Sequence, residues 1–201
     1  MTIGIIVGSM QAHSNSAKVG RYLADQLQNR GQASLTLDLG REPLPLWGSM
    51  APAQTRSHSE RLEALTTELA ACEGFVVISP EYHGMAPAAL KNAFLHFGST
   101  VFAHKPGYLV GVSAGNGGAY PIAELRMSST KNHRLCYTPE HCIVRHADQV
   151  LNGELDPEHQ EDARIRNRLN YGLDILLEYA KALTLVRQSG VVDHAQFANG
   201  M

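Results

Sequence analysis

The stretch Phe75-Val-Val-Ile-Ser-Pro-Glu-Tyr-His-Gly-Met-Ala-Pro-Ala-Ala-Leu-Lys-Asn-Ala93 decides the fold. Its first four residues are a continuous apolar run, the mark of a strand buried on both faces, and Ser79-Pro80 ends it. Pro87 is suited to a first helical position. Leu90, Ala93, Phe94 and Phe97 then recur at i, i+3, i+4, i+7, and Gly98 closes the helix. A buried strand feeding directly into an amphipathic helix is half of a parallel crossover unit.

The same unit repeats on either side. Ile3–Val7 is an apolar strand followed by a Gly/Ser/Asn loop and a helix over 17–30, with Val19, Leu23 and Leu27 on one face. Leu35–Leu39 alternates as a second strand. Pro43–Pro52 is too rich in proline for regular structure, and a helix follows from about Ser59 to Cys72. Tyr108–Val112 is a fourth strand, leading through a glycine-rich loop to a helix over 119–127, and Cys142–Val144 suggests a fifth. Asp156 with Pro157 is expected to cap a last long helix bearing Ile165, Leu169, Leu173, Leu176, Ala180 and Leu183 on one face.

Five such units imply a doubly wound α/β domain, a parallel sheet of order 2-1-3-4-5 with helices on both faces. Its ligand crevice is then expected beyond the carboxyl ends of the strands, where the order reverses between strands 1 and 3. The 201 residues suit one domain, 1–201, with the tail 188–201 loosely ordered or serving a subunit contact.

Composition narrows the partners. A net charge of -2 leaves no basic field for nucleic acid or anionic lipid, which favours a small-molecule partner. No apolar run suits a membrane span or a signal peptide, so a cytoplasmic protein is expected. Cys72, Cys136 and Cys142 are too few for a disulfide framework. Neither they nor the ten scattered histidines show metal-ligand spacing, so no metal is expected.

Three loops fall on the expected ligand edge. The first, Gly8–Ser16, joins strand 1 to helix 1, where amides and hydroxyls favour an anion. It is neither a triphosphate nor a dinucleotide loop, so a terminal monophosphate is the fitting guest, held by Ser9, Gln11, Ser14, Asn15 and Ser16. Alone, it reads equally as a helix cap. In the second, Pro80, Glu81, Tyr82, His83 and Gly84 could present backbone and an aromatic ring to a flat heterocycle, or form only a strand-to-helix turn. The third, with Ser113, Ala114, Gly115, Gly117 and Gly118, suits close backbone approach or a plain tight turn.

The run S-P-E-Y-H-G-x-x-P-x-x-L-K-N-A at 79–93 resembles the NADPH-dependent FMN reductase family, whose motif reads P-E-Y-N-x-x-x-P-x-x-L-K-N-A. The first loop is similar to that family's G-S-x-R-x-x-S. The likeness spans roughly Met1 to Val144, includes Leu125-Arg126, and is strongest over Pro80–Ala93. It implies a flavodoxin-like fold with FMN phosphate in the first loop, the isoalloxazine in the second and its pyrimidine end at the third. It further implies NADPH or NADH as reductant in a ping-pong scheme, with quinones, azo compounds, metal oxyanions or free flavin as acceptors, and a homodimer or homotetramer. Flavin chemistry needs no acid–base dyad, so no catalytic side chain is assigned. The chain departs from the motif twice, with Gln11 where the family has Arg and His83 where Asn is common. Two competing readings are a flavodoxin-type electron carrier and a phosphate-ligand binding protein without redox activity. Trp47 could shield the flavin or anchor a subunit contact, but packing in the core or against a loop is expected. Arg126 is expected in a helix salt bridge in preference to a cofactor phosphate contact.

Overall fold

The computed structural model describes residues 1–48, 55–156 and 158–200, with side chains of the second helix described from residue 60. Strands β1 (Thr2–Val7), β2 (Ala33–Asp38), β3 (Gly74–Pro80), β4 (Pro106–Val112) and β5 (Cys136–Val144) form one sheet. Every pairing is parallel and the order is β2-β1-β3-β4-β5. That order is the one the alternating pattern implied, and it places the ends of β1 and β3 side by side at the switch point.

Helices α1 (Asn15–Asn29) and α6 (Gln160–Gln188) cover one face. α2 (Thr55–Ala70), α3 (Ala88–His96), the single turn α4 (Ser99–Phe102) and α5 (Ala119–Ser128) cover the other. β3 and β4 are buried at every residue, as strands walled by helices on both sides must be. The stripe Leu90, Ala93, Phe94 and Phe97 points inward, with Phe94 edge-on to Phe102 at 5.5 Å between ring centroids. Among the described residues no helix is long and apolar enough to cross a membrane.

Four expectations need correction. β5 begins six residues before Cys142; as an edge strand it exposes Pro139 and only half buries Glu140 and His141, which removes the apolar run that marks an inner strand. The long helix starts at Gln160 with His159 as its cap, whose ring nitrogen accepts from the Asp162 amide at 3.0 Å. Asp156 instead closes the turn before it, taking the Glu158 amide, and Pro157 lies outside the described residues. Trp47 is exposed: its amide is tied to Asn92 Oδ1 at 2.8 Å, leaving the ring outside the core against a cavity between α3 and α5. The α2 start at about Ser59 is instead at Thr55, and 49–54 lie outside the described residues.

Beyond α6 the tail folds back over the amino ends of β4 and β5. His194 stacks on His104 at 5.6 Å, and the Gly200 amide reaches Asn132.

Candidate functional site

Each of the three loops leaves the carboxyl end of its strand, so β1, β3 and β4 deliver them to one edge. Two side-chain bonds then join them. The hydroxyls of Ser9 and Tyr82 meet at 2.9 Å, linking the first loop to the second. The carboxylate of Glu81 accepts the Gly118 amide at 2.5 Å, linking the second to the third. Residues far apart in sequence thereby form one continuous polar rim.

In the first loop, Ser14 is the cap of α1: its hydroxyl accepts the Ala17 amide at 3.0 Å and keeps its own proton to donate. Asn15 and Ser16 open the helix, so their amides have no acceptor within it. Ser16 Oγ is buried and has no partner among the described residues. An unsatisfied buried hydroxyl beside free amides at a positive helix end suits an anion such as a phosphate monoester. Gln11 is exposed, with its amide on Ser9 Oγ at 3.2 Å. Lys18, one turn along, spends its ammonium on Ala147 O, Val150 O and Asn152 Oδ1 at 2.6 to 2.8 Å, and burial lowers its pKa. The anion would therefore be held by dipoles and neutral donors.

The second loop turns on two residues. Tyr82 and Met85 exchange backbone bonds at 3.1 and 3.0 Å across His83 (φ 51°) and Gly84 (φ 75°). Positive φ at both central positions is the pattern of a two-residue primed turn, and Asn or His tolerates it better than most side chains do. His83 therefore suits this backbone where the motif favours Asn. The Ala86 amide binds Glu124 of α5 at 2.8 Å, and Lys91 with that amide holds the Glu124 carboxyl below its usual range. Tyr82 presents its hydroxyl to Ser9, a role the sequence did not indicate.

The third loop is fastened along its length. Ser113 pairs with Val144 O and with the Ala147 amide, and the His146 amide reaches Gly115 O at 3.2 Å. The His146 ring bonds Asn116 at 2.9 Å, and Arg145 Nε donates to Gly117 O at 3.2 Å. Ala114 and Gly115 stay exposed at the tip. Arg145 and His146 were missed in the sequence, although they directly follow the strand read at Cys142–Val144, on the edge where ligands bind. Arg126 lies away from this rim, with its guanidinium on the carbonyls of Thr138 and Pro139 in place of a carboxylate.

The edge is open, bordered by a recess of about 320 Å³ beneath Met10 and Leu46. A larger cavity of about 660 Å³ lies between α3 and α5 against Trp47, Phe94 and His133. The unpartnered Ser16 hydroxyl and the glycine turns are at the edge and not in this cavity.

A family model described as NADPH-dependent FMN reductase matches residues 1–149, a span that contains all three loops. An NADPH azoreductase from Bacillus sp. (strain OY1-2) is 31% identical over 118 residues, 59% of this chain and 62% of that relative. An FMN-dependent NADPH-azoreductase from Staphylococcus saprophyticus is 32% identical over 124 residues, 61% of this chain and 66% of that one. The matched chain thus spans less than two thirds of either relative's length. Among solved structures, the flavoenzyme NAD(P)H:(acceptor) oxidoreductase FerB from Paracoccus denitrificans superposes with a TM-score of 0.65 at 19% identity, over 90% of this chain and 97% of that one. An oxidoreductase from Corynebacterium diphtheriae gives 0.63 at 17%, over 91% and 96%. At those identities the likeness is one of fold.

Proposed function

Since this chain belongs to the NADPH-dependent FMN reductase family, we propose that it is an FMN-dependent oxidoreductase taking reducing equivalents from NADPH or NADH and passing them to small acceptors. The observation that carries this reading is the rim itself, three loops joined through Ser9–Tyr82 and Glu81–Gly118, with Ser16 Oγ unpartnered at one end. Ser9, Gln11, Ser14, Asn15 and Ser16 hold the phosphate. Pro80, Tyr82, His83 and Gly84 border the ring system, and Ser113, Ala114, Gly115, Gly117 and Gly118 its pyrimidine end. Bound there, FMN supplies hydride acceptance and release. The protein's part is to orient it and to keep one face open for nicotinamide and acceptor in turn.

No guanidinium stands in the first loop, so the phosphate lacks the charge-assisted bonds that are roughly twice as strong as neutral ones. FMN is accordingly a dissociable cofactor here. Azo compounds are the first acceptors to try, given the names of the two relatives, with quinones, metal oxyanions and free flavin after them. Met10, Leu46, Met85 and Tyr120, each more than half exposed, lie on or beside the rim loops from four segments. A second copy of the chain covers such a surface, giving a homodimer or homotetramer in the cytoplasm.

The test is spectroscopic. Protein titrated with FMN and then mixed anaerobically with NADPH or NADH should bleach the flavin absorbance, and an azo dye should restore it. A protein whose thermal midpoint ignores FMN ends the flavin reading. Bound flavin that neither nicotinamide bleaches ends the reductase reading in favour of an electron carrier.

A further inference from the structure

The bonds from Glu81 and Arg145 fall on one peptide unit. Gly117 C=O accepts from Arg145 Nε at 3.2 Å, and the N–H of the same Gly117–Gly118 linkage donates to Glu81 Oε2 at 2.5 Å. An acid grips the donor side and a base the acceptor side, both charge-assisted. The two residues reach this peptide from different strands, Glu81 just past β3 and Arg145 just past β5. The Glu81 main chain is itself fixed, its amide on Val112 O at 3.0 Å.

A linkage between two glycines is the kind of backbone least able to hold its own orientation, because both residues occupy positive and negative φ with similar ease. Here Gly118 has φ 101° and starts α5 with no side-chain cap, and α5 has no acidic residue in its first turn. Glu81 supplies the missing negative charge at that helix end from another loop. Its carboxylate also closes the space beside Gly117, where a Cβ would lie 2.7 Å from Oε1. Turning the peptide over would break both grips at once and set the Gly117 oxygen against the carboxylate.

We propose that Glu81 and Arg145 are a pair of positioning residues that lock the Gly117–Gly118 peptide in one orientation, and that FMN binding at the third loop depends on that lock. The inference rests on the FMN reading above and assigns Glu81 to the loop and not to the cofactor. Both side chains act through the peptide. Losing either one frees it, so losing the second adds little.

The experiment compares wild type with Glu81→Ala, Glu81→Gln, Arg145→Ala and the double alanine variant. FMN affinity is read by flavin fluorescence, and Gly118 amide exchange is read by NMR in protein without FMN. Thermal midpoints identify any variant that fails to fold. Each single alanine variant should weaken FMN binding about tenfold and speed Gly118 exchange. The double variant should also stay near tenfold, since coupled residues are non-additive. Glu81→Gln, which keeps an acceptor oxygen, should return to within about threefold of wild type. Affinities of the single variants within about twofold of wild type, a double variant near a hundredfold, or a Gln variant as weak as Ala would each overturn the lock. Should wild type bind no FMN, the FMN reading fails on its own, and Gly118 exchange unchanged in Glu81→Ala would separately overturn the lock.

Discussion

The two edges of this sheet use polar side chains in opposite ways. At the carboxyl edge they join loop to loop and leave donors over, as with Ser16 Oγ and the opening amides of α1. At the amino edge most are drawn into the fold, although His133 Nε2 is buried with no partner among the described residues. Lys105 puts its ammonium on Ala70 O at 2.6 Å, and burial pushes its pKa down to about 8. His133 lies against the rings of Phe94 and Phe102 at 5.0 and 5.2 Å with its Nδ1 on the Leu135 amide, and burial lowers it to about 4. Arg187 binds Glu73 and the His104 carbonyl. Strongly shifted titratable groups usually nominate an active site. In this molecule most of them, Cys72, Lys105 and His133 among them, lie at the far end, where the tail returns, and Cys142 near the end of β5 is an exception raised by burial.

Breaking the carboxyl edge should cost most. Gly118→Ala places a Cβ 2.5 Å from Ile143 at φ 101°, and should lower unfolding free energy by about 4 kcal/mol, combining backbone strain with overpacking. Gly115→Ala, with open space around it, is the control and should stay within about 0.5 kcal/mol in the same urea titration.

The amino edge should respond to acid. Folding holds His133 neutral down to about pH 4, whereas the unfolded chain takes up its proton near 6.5. The stability is therefore complete above pH 6.5 and lost as pH falls through 4, by up to about 3 kcal/mol. His133→Asn keeps an acceptor for the Leu135 amide without titrating, so its midpoint-versus-pH curve should be flatter than wild type over that window. Parallel curves would show that His133 carries none of the acid sensitivity.

The smallest effect separates the edges most sharply. Ser16→Ala removes a hydroxyl that has no partner among the described residues, so thermal stability should hold within about 0.5 kcal/mol while FMN affinity drops about fivefold. A loss of stability with unchanged FMN affinity would reassign Ser16 to the fold.

Much of the carboxyl edge was legible beforehand because its signals are local. Gly-Ser loops, the Pro80–Ala93 run and the glycines at 115–118 are contiguous, and the strand-to-helix rhythm places them on one side. What stayed hidden depends on contacts across the sheet. Arg145 and His146 look like ordinary polar residues until β5 lies beside β4. Glu81 reads as a member of a ligand loop until its carboxylate is seen on Gly118. Packing is the commoner fate of a tryptophan, yet the Trp47 ring is exposed, with its amide bonded to Asn92.

Residue order alone determined the parallel sheet, its strand order and the edge to which the three loops come, since hydrophobic period and crossover handedness act within one unit at a time. Only the tertiary structure decided which of the rim's polar groups are spent and which are free. A hydrogen bond satisfied by a residue more than thirty positions away, as Gly118 is by Glu81, leaves no trace in local pattern. That division between satisfied and unsatisfied donors separates the scaffold of this edge from its binding surface.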